Sequence, residues 1–227
     1  MRDRYGFDTA LPPAARALHW DPLVVEVPSF LPAAACDALV AASTVGVASP
    51  TVAKDAHSVS QRTSTTYHHS FASAAGSSLT GPLLSLLSLP PRSLRRLEEP
   101  QTVRYRPSEF FGFHYDALAP LGSDVPCAAG NRVATCLVYL NDVAGGGETA
   151  FRDLPVACAP EKGKLLLFFP AFGGAKNAPA DFRTLHAGQP AAETKMIAQV
   201  WVREREGYVP TAPAGTSYED ALGSVLG

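Results

Sequence analysis

None of the four cysteines, Cys36, Cys127, Cys136 and Cys158, stands in a C-x-x-C spacing, which leaves a zinc ribbon or a thioredoxin-like redox pair without support. Nor does any apolar run approach the roughly 20 residues that carry a helix across a bilayer; LLSLLSLPP and LLLFFPAF are short and interrupted or followed by proline. The opening MRDRYGFDTALPP is charged and then broken by proline, without the apolar stretch and small-residue cleavage site of a secretory leader. These absences predict a soluble chain with no membrane partner, cytoplasmic by default. An excess of one charge is missing as well. Lys and Arg number 19 against 21 Asp and Glu, a formal net charge of −2, and the stretch from Arg92 to Arg96 is the one concentrated basic run. Duplex binding needs a broad basic footprint, so no nucleic-acid partner is expected.

What is present is apolar and turn-rich: 46% hydrophobic residues with 18 Gly and 20 Pro in 227 residues, a texture of many short strands rather than a helical bundle. One domain over residues 1–227 is expected, with a core at about 23–204, helical support within 30–99 and a tail from 205. PLVVEVPSFLP reads as a strand, followed by a helix from about Pro32 through AAACDALVAAS. Residues 41–81 read as a Ser/Thr/Ala/Gly loop bracketing one strand in RTSTTYHHS, and Leu83, Leu84, Leu86 and Leu87 as a short buried helix stopped by Pro90-Pro91. SLRRLEE adds a helical turn or two. From Gln101 onward seven β-rich runs separated by turn signals predict a jelly roll or small barrel, mainly β with flanking helices. Thr216-Ser217-Tyr218-Glu219 has the capping-box pattern that starts a terminal helix. Cys36, in a helical pattern, and Cys136, in a strand pattern, are expected as buried thiols; Cys127 and Cys158 sit in loop-like sequence and could pair.

Within FGFHYDAL, His114 and Asp116 are two apart, and on a strand residues i and i+2 leave the same face. Alone, such a pair is as easily a solvated polar face as a metal site. His186 in RTLHAGQP, closing a strand-like run, supplies a third candidate donor. Two histidines and one carboxylate form the facial set of non-haem Fe(II) oxygenases, which leaves coordination positions open for co-substrate and O2. In TKMIAQVWVRE, alternation puts Lys195, Ile197, Gln199 and Trp201 on one face; a lysine there either snorkels to water or is a buried cation facing a carboxylate. In NRVATCLVYLND the same alternation aligns Thr135, Leu137 and Tyr139, so a hydroxyl and a phenol could share that carboxylate. His68 and His69 are adjacent and point to opposite strand faces, so both cannot join one metal, and exposed polar residues are expected there. Arg62 borders a substrate channel or is a strand-edge charge, and Arg132 and Glu148 read as structural.

Over roughly residues 23–204 the sequence resembles the prolyl 4-hydroxylase branch of the Fe(II)/2-oxoglutarate-dependent dioxygenases. The pieces that carry the resemblance are RTS (62–64), QTVRY (101–105), HYD (114–116), GNRVATCLVYLND (130–142), GGETAF (146–151), GKLLLFF (163–169), LHAGQP (185–190) and TK (194–195), in matching order and spacing. The resemblance implies a double-stranded β-helix core. It implies that His114, Asp116 and His186 bind Fe(II), and that Lys195 pairs with the distal carboxylate of 2-oxoglutarate. Tyr105, Tyr139 and Thr135 are implied to line or assist the co-substrate pocket. O2 as co-substrate, L-ascorbate as an accessory reductant, and hydroxylation of a peptide or protein proline are further implications, with a free amino acid or small metabolite as the alternative substrate. A non-catalytic cupin-like metal module is the alternative of another class. Two departures stand out: His186 and Lys195 are nine apart where the family commonly has ten, and Met196 replaces a frequent tryptophan.

Overall fold

The computed structural model describes residues 5, 8–9, 11–43, 49–50, 53–55, 58–60, 62–118, 128–173 and 178–208. The terminal helix expected from Thr216, and Cys127 with its pairing to Cys158, lie outside them. Two sheets stack as a jelly roll. The larger runs in the order β1 (Arg16–Trp20), β2 (Leu23–Val27), β12 (Leu165–Phe168), β9 (Arg132–Tyr139), β14 (Lys195–Arg203), β7 (Gln101–Tyr105), β6 (Thr65–His68), β3 (Ser49–Pro50). The smaller runs β11 (Ala157–Cys158), β10 (Thr149–Phe151), β13 (His186–Gly188), β8 (Phe111–His114), and β4 (Ala53–Asp55) pairs with β5 (Ser58–Ser60) as a separate hairpin. Each pairing is antiparallel, so the hydrogen-bonded ladders need no crossover helices.

Alternation divides the core into two layers. On β9 and β14, buried on both faces, Cys136, Val138, Ala198 and Val200 point outward to a layer shared with Leu39 of α1 (Ala33–Ala42) and Leu79 and Leu83 of α2 (Ala74–Leu86). Their neighbours Leu137, Tyr139 and Ile197 point inward and pack with Tyr105, Leu166 and Phe168, and with Phe151 of the smaller sheet. Lys195 opens β14 on this inward face, as the register partner of Tyr105 on the neighbouring β7. A period-two sequence thus produces one wall that helices cover and one that faces a cavity between sheets.

All seven strand runs expected after Gln101 are present, as are α1 and the one strand in RTSTTYHHS. The stretch expected as a loop up to Gly81 differs. It contains three more short strands, and α2 starts at Ala74, nine residues before the expected leucine-rich turn. Ser73 caps α2 by accepting the Gly76 amide at 3.0 Å, while Ala75, Leu79 and Thr80 are buried; Gly81 and Pro82, usual breakers, sit inside the helix and conceal it. The helical turn expected in SLRRLEE is a 3-10 turn over Pro91–Arg96 that ends before Leu97. β1 went unread because its residues are mostly half-exposed, so pairing to β2 holds it rather than a buried stripe. Cys36 and Cys136 are buried as expected. No helix among the described residues is long and apolar enough to cross a membrane.

Candidate metal centre

β8 and β13 are neighbours in the smaller sheet, and His114 and His186 are direct register partners across it. Cross-strand pairing therefore does what separation in sequence conceals: it sets the two imidazoles side by side, centroids 4.3 Å apart. Asp116, just past the end of β8, completes the group. Its Oδ1 lies 3.7 Å from His114 Nε2 and its Oδ2 3.7 Å from His186 Nε2. One donor atom from each residue lies within 4.8 Å of the other two, and all three residues are buried.

The remaining ring nitrogens are committed. His114 Nδ1 lies 2.8 Å from the Gly112 carbonyl and His186 Nδ1 2.9 Å from the Thr184 carbonyl. A carbonyl can only accept, so Nδ1 donates in each ring and Nε2 is the nitrogen turned to the centre. Burial, with His186 alongside, drives the His114 imidazolium down to about 3, so this ring is neutral at neutral pH. Burial alone would raise the Asp116 carboxyl, but His186, His114, Arg132 and the Thr135 hydroxyl bring it down to about 2. Neutral imidazoles and an ionised carboxylate are the protonation states that bind a divalent cation, and three donors leave positions for other ligands. The donor set fits Fe(II).

The two histidines share a cavity with Lys195, Tyr105, Thr149 and Gln199. Lys195 is 1% exposed. Its Nζ donates to the carbonyls of Gly147 at 3.0 Å and Gln189 at 3.1 Å and sits 4.3 Å from the Tyr105 ring centre. Among the described residues it forms no ion pair. Burial lowers its ammonium to about 8, with Glu148 opposing. Gly188 keeps the floor open: a Cβ there would come within 3.6 Å of Lys195 Nζ and 3.5 Å of the Tyr105 hydroxyl. A buried cation, a phenol and a cleared floor beside a metal site suit a dicarboxylate that chelates the metal at one end.

The other expected residues fall on two sides of this picture. Tyr105 lines the cavity. Thr135 is directed to the metal group rather than to Lys195, donating to Asp116 Oδ2 at 2.7 Å. Tyr139 is fully buried, with its hydroxyl 2.8 Å from both Thr149 Oγ1 and the Cys158 carbonyl. It braces Thr149, whose place in the cavity lining the sequence reading missed; alternation in GGETAF carries the only signal for it. Arg132 forms a two-point pair with Glu98 at 2.6 and 2.7 Å and stacks 3.7 Å over Trp201. Arg62 bonds Ser64 and Thr66 and lies 4.7 Å over Phe111, which stacks on His114 at 3.5 Å. His68 is exposed as expected, but His69 is buried, its Nε2 2.9 Å from Thr102 Oγ1.

Residues 100–203 match the family model of the 2OG-Fe(II) oxygenase superfamily, a span that includes β7 through β14 and every residue of this centre. A protein of Acanthamoeba polyphaga mimivirus named for prolyl 4-hydroxylase is 33% identical over 115 residues, covering 48% of this chain and 46% of its own. Probable prolyl 4-hydroxylase 9 of Arabidopsis thaliana is 27% identical over 215 residues, 84% of this chain and 72% of its own. The chain thus matches about half the length of the first relative. Among solved structures, the viral collagen prolyl hydroxylase of Paramecium Bursaria Chlorella virus-1, in a 2-oxoglutarate complex, aligns with a TM-score of 0.59 and 25% identity, covering 79% of this chain and 95% of that one. Ordered motifs, strand topology and relatives agree: over residues 100–203 the chain is similar to the 2OG-Fe(II) oxygenase superfamily, and the relatives and solved structure it resembles are named as prolyl hydroxylases.

Proposed function

We propose that this chain hydroxylates an aliphatic C–H bond, that of a prolyl residue in a peptide or protein, using Fe(II), 2-oxoglutarate and O2. The observation that carries the reading is the convergence of His114, Asp116 and His186 donors within 4.8 Å on a cavity that also holds the buried Lys195 amine. In this reading the three donors hold the iron, and Lys195 with Tyr105 and Thr149 holds the far carboxylate of 2-oxoglutarate. When bound, that pair supplies the oxidising chemistry: O2 is consumed, 2-oxoglutarate becomes succinate and CO2, and one oxygen atom reaches the substrate.

The protein's own part is orientation and exclusion. The Gly112 and Thr184 carbonyls fix both imidazole tautomers, and the Thr135 hydroxyl occupies one oxygen of Asp116. Leu137 and Ile197 line the cavity with hydrocarbon and keep water from the reacting groups. A carboxylate at position 116, rather than a small residue that would leave room for halide, favours hydroxylation. The peptide preference rests on the prolyl hydroxylase names of the relatives.

Anaerobic addition of Fe(II) and 2-oxoglutarate is expected to produce a weak visible charge-transfer band. His114→Ala removes the band together with succinate formation; an unchanged band in that variant refutes the role of His114. Mass spectrometry on proline-containing peptides and on free proline then separates the substrate classes. A gain of one oxygen on peptide alone supports the reading, and a gain on free proline alone overturns its peptide half. Absence of 2-oxoglutarate turnover would instead favour a non-catalytic metal module.

A further inference from the structure

The metal ligands sit on two arms of chain: one runs from His114 and Asp116 to Leu118, the other runs from Ala178 into His186. A side chain outside the centre ties both. Asn131 is 0% exposed, and its Oδ1 accepts the Leu118 amide at 2.7 Å while its Nδ2 donates to the Ala178 carbonyl at 2.9 Å. The same Oδ1 accepts the Arg132 amide at 2.9 Å, anchoring the clamp to the start of β9 in the larger sheet. Glu204 closes it from behind. Its Oε2 accepts the amides of Ala178 at 3.2 Å and Asn131 at 3.3 Å, and its own amide donates to the Asn131 carbonyl at 2.8 Å. Gly130 allows this approach, with φ at +75° and Glu204 packed where a Cβ would stand.

The chemistry restricts position 131. One planar group must offer an acceptor to two amides and a donor to a carbonyl, at the reach of a single methylene. Aspartate has no N–H for Ala178, serine is too short to span both arms, and alanine leaves three backbone groups without partners in a dry site. Arg183 adds a second hold on the His186 arm through Asp181, at 2.6 Å, and Asp21, at 3.0 Å.

We propose that Asn131 is a positioning residue for the metal centre: by joining Leu118 to Ala178 it fixes the spacing at which Asp116 and His186 converge. The assignment rests on the oxygenase reading above. The asparagine adds a second tie to the β8–β13 pairing that also joins the two arms, so loss of its amide loosens metal binding and lowers the product formed per 2-oxoglutarate consumed. The Lys195 side of the cavity, on β14 and outside the clamp, keeps its co-substrate contact.

The test uses the full chain and Mn(II), followed by electron paramagnetic resonance of the free ion, alongside assays of succinate and hydroxylated product. Asn131→Asp is expected to weaken Mn(II) binding roughly tenfold or more, to lower product formed per succinate several-fold, and to leave KM for 2-oxoglutarate unchanged. Glu204→Ala, which removes the brace on Ala178 and spares the asparagine, shifts the first two readouts in the same direction, and Glu204→Gln, which keeps an acceptor oxygen, restores them. Wild-type Mn(II) affinity and wild-type coupling in folded Asn131→Asp overturn the proposal; if that variant does not fold, the same result in Glu204→Ala overturns it. A wild-type protein that binds no Mn(II) overturns the oxygenase reading itself, and the proposal with it, an outcome distinct from variants that bind normally.

Discussion

At the scale of single residues, burial shifts the protonation of groups in the cavity. Lys195 is a clear case. Burial brings its ammonium down to about 8, so the cation that would meet 2-oxoglutarate is only partly charged in mildly alkaline solution. A bound carboxylate stabilises the charged form, which makes binding take up a proton once pH exceeds that value. The Kd for 2-oxoglutarate, measured by calorimetry with Mn(II) in place of iron, is therefore expected to be flat below pH 8. Above it the Kd rises by about tenfold per pH unit, and a flat profile from pH 7 to 10 contradicts this role for Lys195. The sequence makes this lysine legible, since alternation in TKMIAQVWVRE sets it among inward residues despite the short turn after His186. Thr135 and Tyr139 are legible only as inward-facing. Which partner each hydroxyl takes depends on how the two sheets stack, and no spacing in one strand records that.

At the scale of elements, two kinds of strand contribute differently. β9 and β14 form the rigid centre of the larger sheet, with one face sealed by α1 and α2 and the other forming the cavity wall. β8 and β13 are three or four residues long, yet their register aligns His114 with His186. The division predicts that stability and activity separate by face. Leu39→Ala, in α1 and fully buried against the sealed face, is expected to cost about 2–5 kcal/mol in chemical denaturation while activity per folded molecule is retained. A matching fall in both contradicts the division. The seven runs after Gln101 are readable because their burial alternates or is continuous over several residues. α2 is hidden by Gly76, Gly81 and Pro82, and the hairpin of β4 and β5 is too short for any period to register. His69 is hidden for a similar reason: its burial comes from contact with Thr102 on a neighbouring strand, not from its own segment.

At the scale of the whole molecule, the fold buries a neutral His114 beside an ionised Asp116, and acid acts against it. His114 stays neutral in the folded protein down to about pH 3, whereas in the unfolded chain it takes a proton near its ordinary value of 6.5. Between those values the unfolded state binds the extra proton, so stability falls as pH drops. Asp116, held at about 2 against an ordinary 3.8, adds to the loss below pH 3.8 with the same sign. The metal-free protein is thus expected to lose thermal stability from about pH 6.5 downward, and a melting temperature that is constant between pH 7 and 4 contradicts this. The most direct measurement is a crystal structure with Mn(II) and N-oxalylglycine, an inert mimic of 2-oxoglutarate, with the metal located by anomalous scattering. The account predicts one ion within about 2.2 Å of His114 Nε2, His186 Nε2 and an Asp116 oxygen, and the far carboxylate of the mimic on Lys195 Nζ. An ion bound elsewhere, or a mimic whose far carboxylate turns away from Lys195, would contradict it.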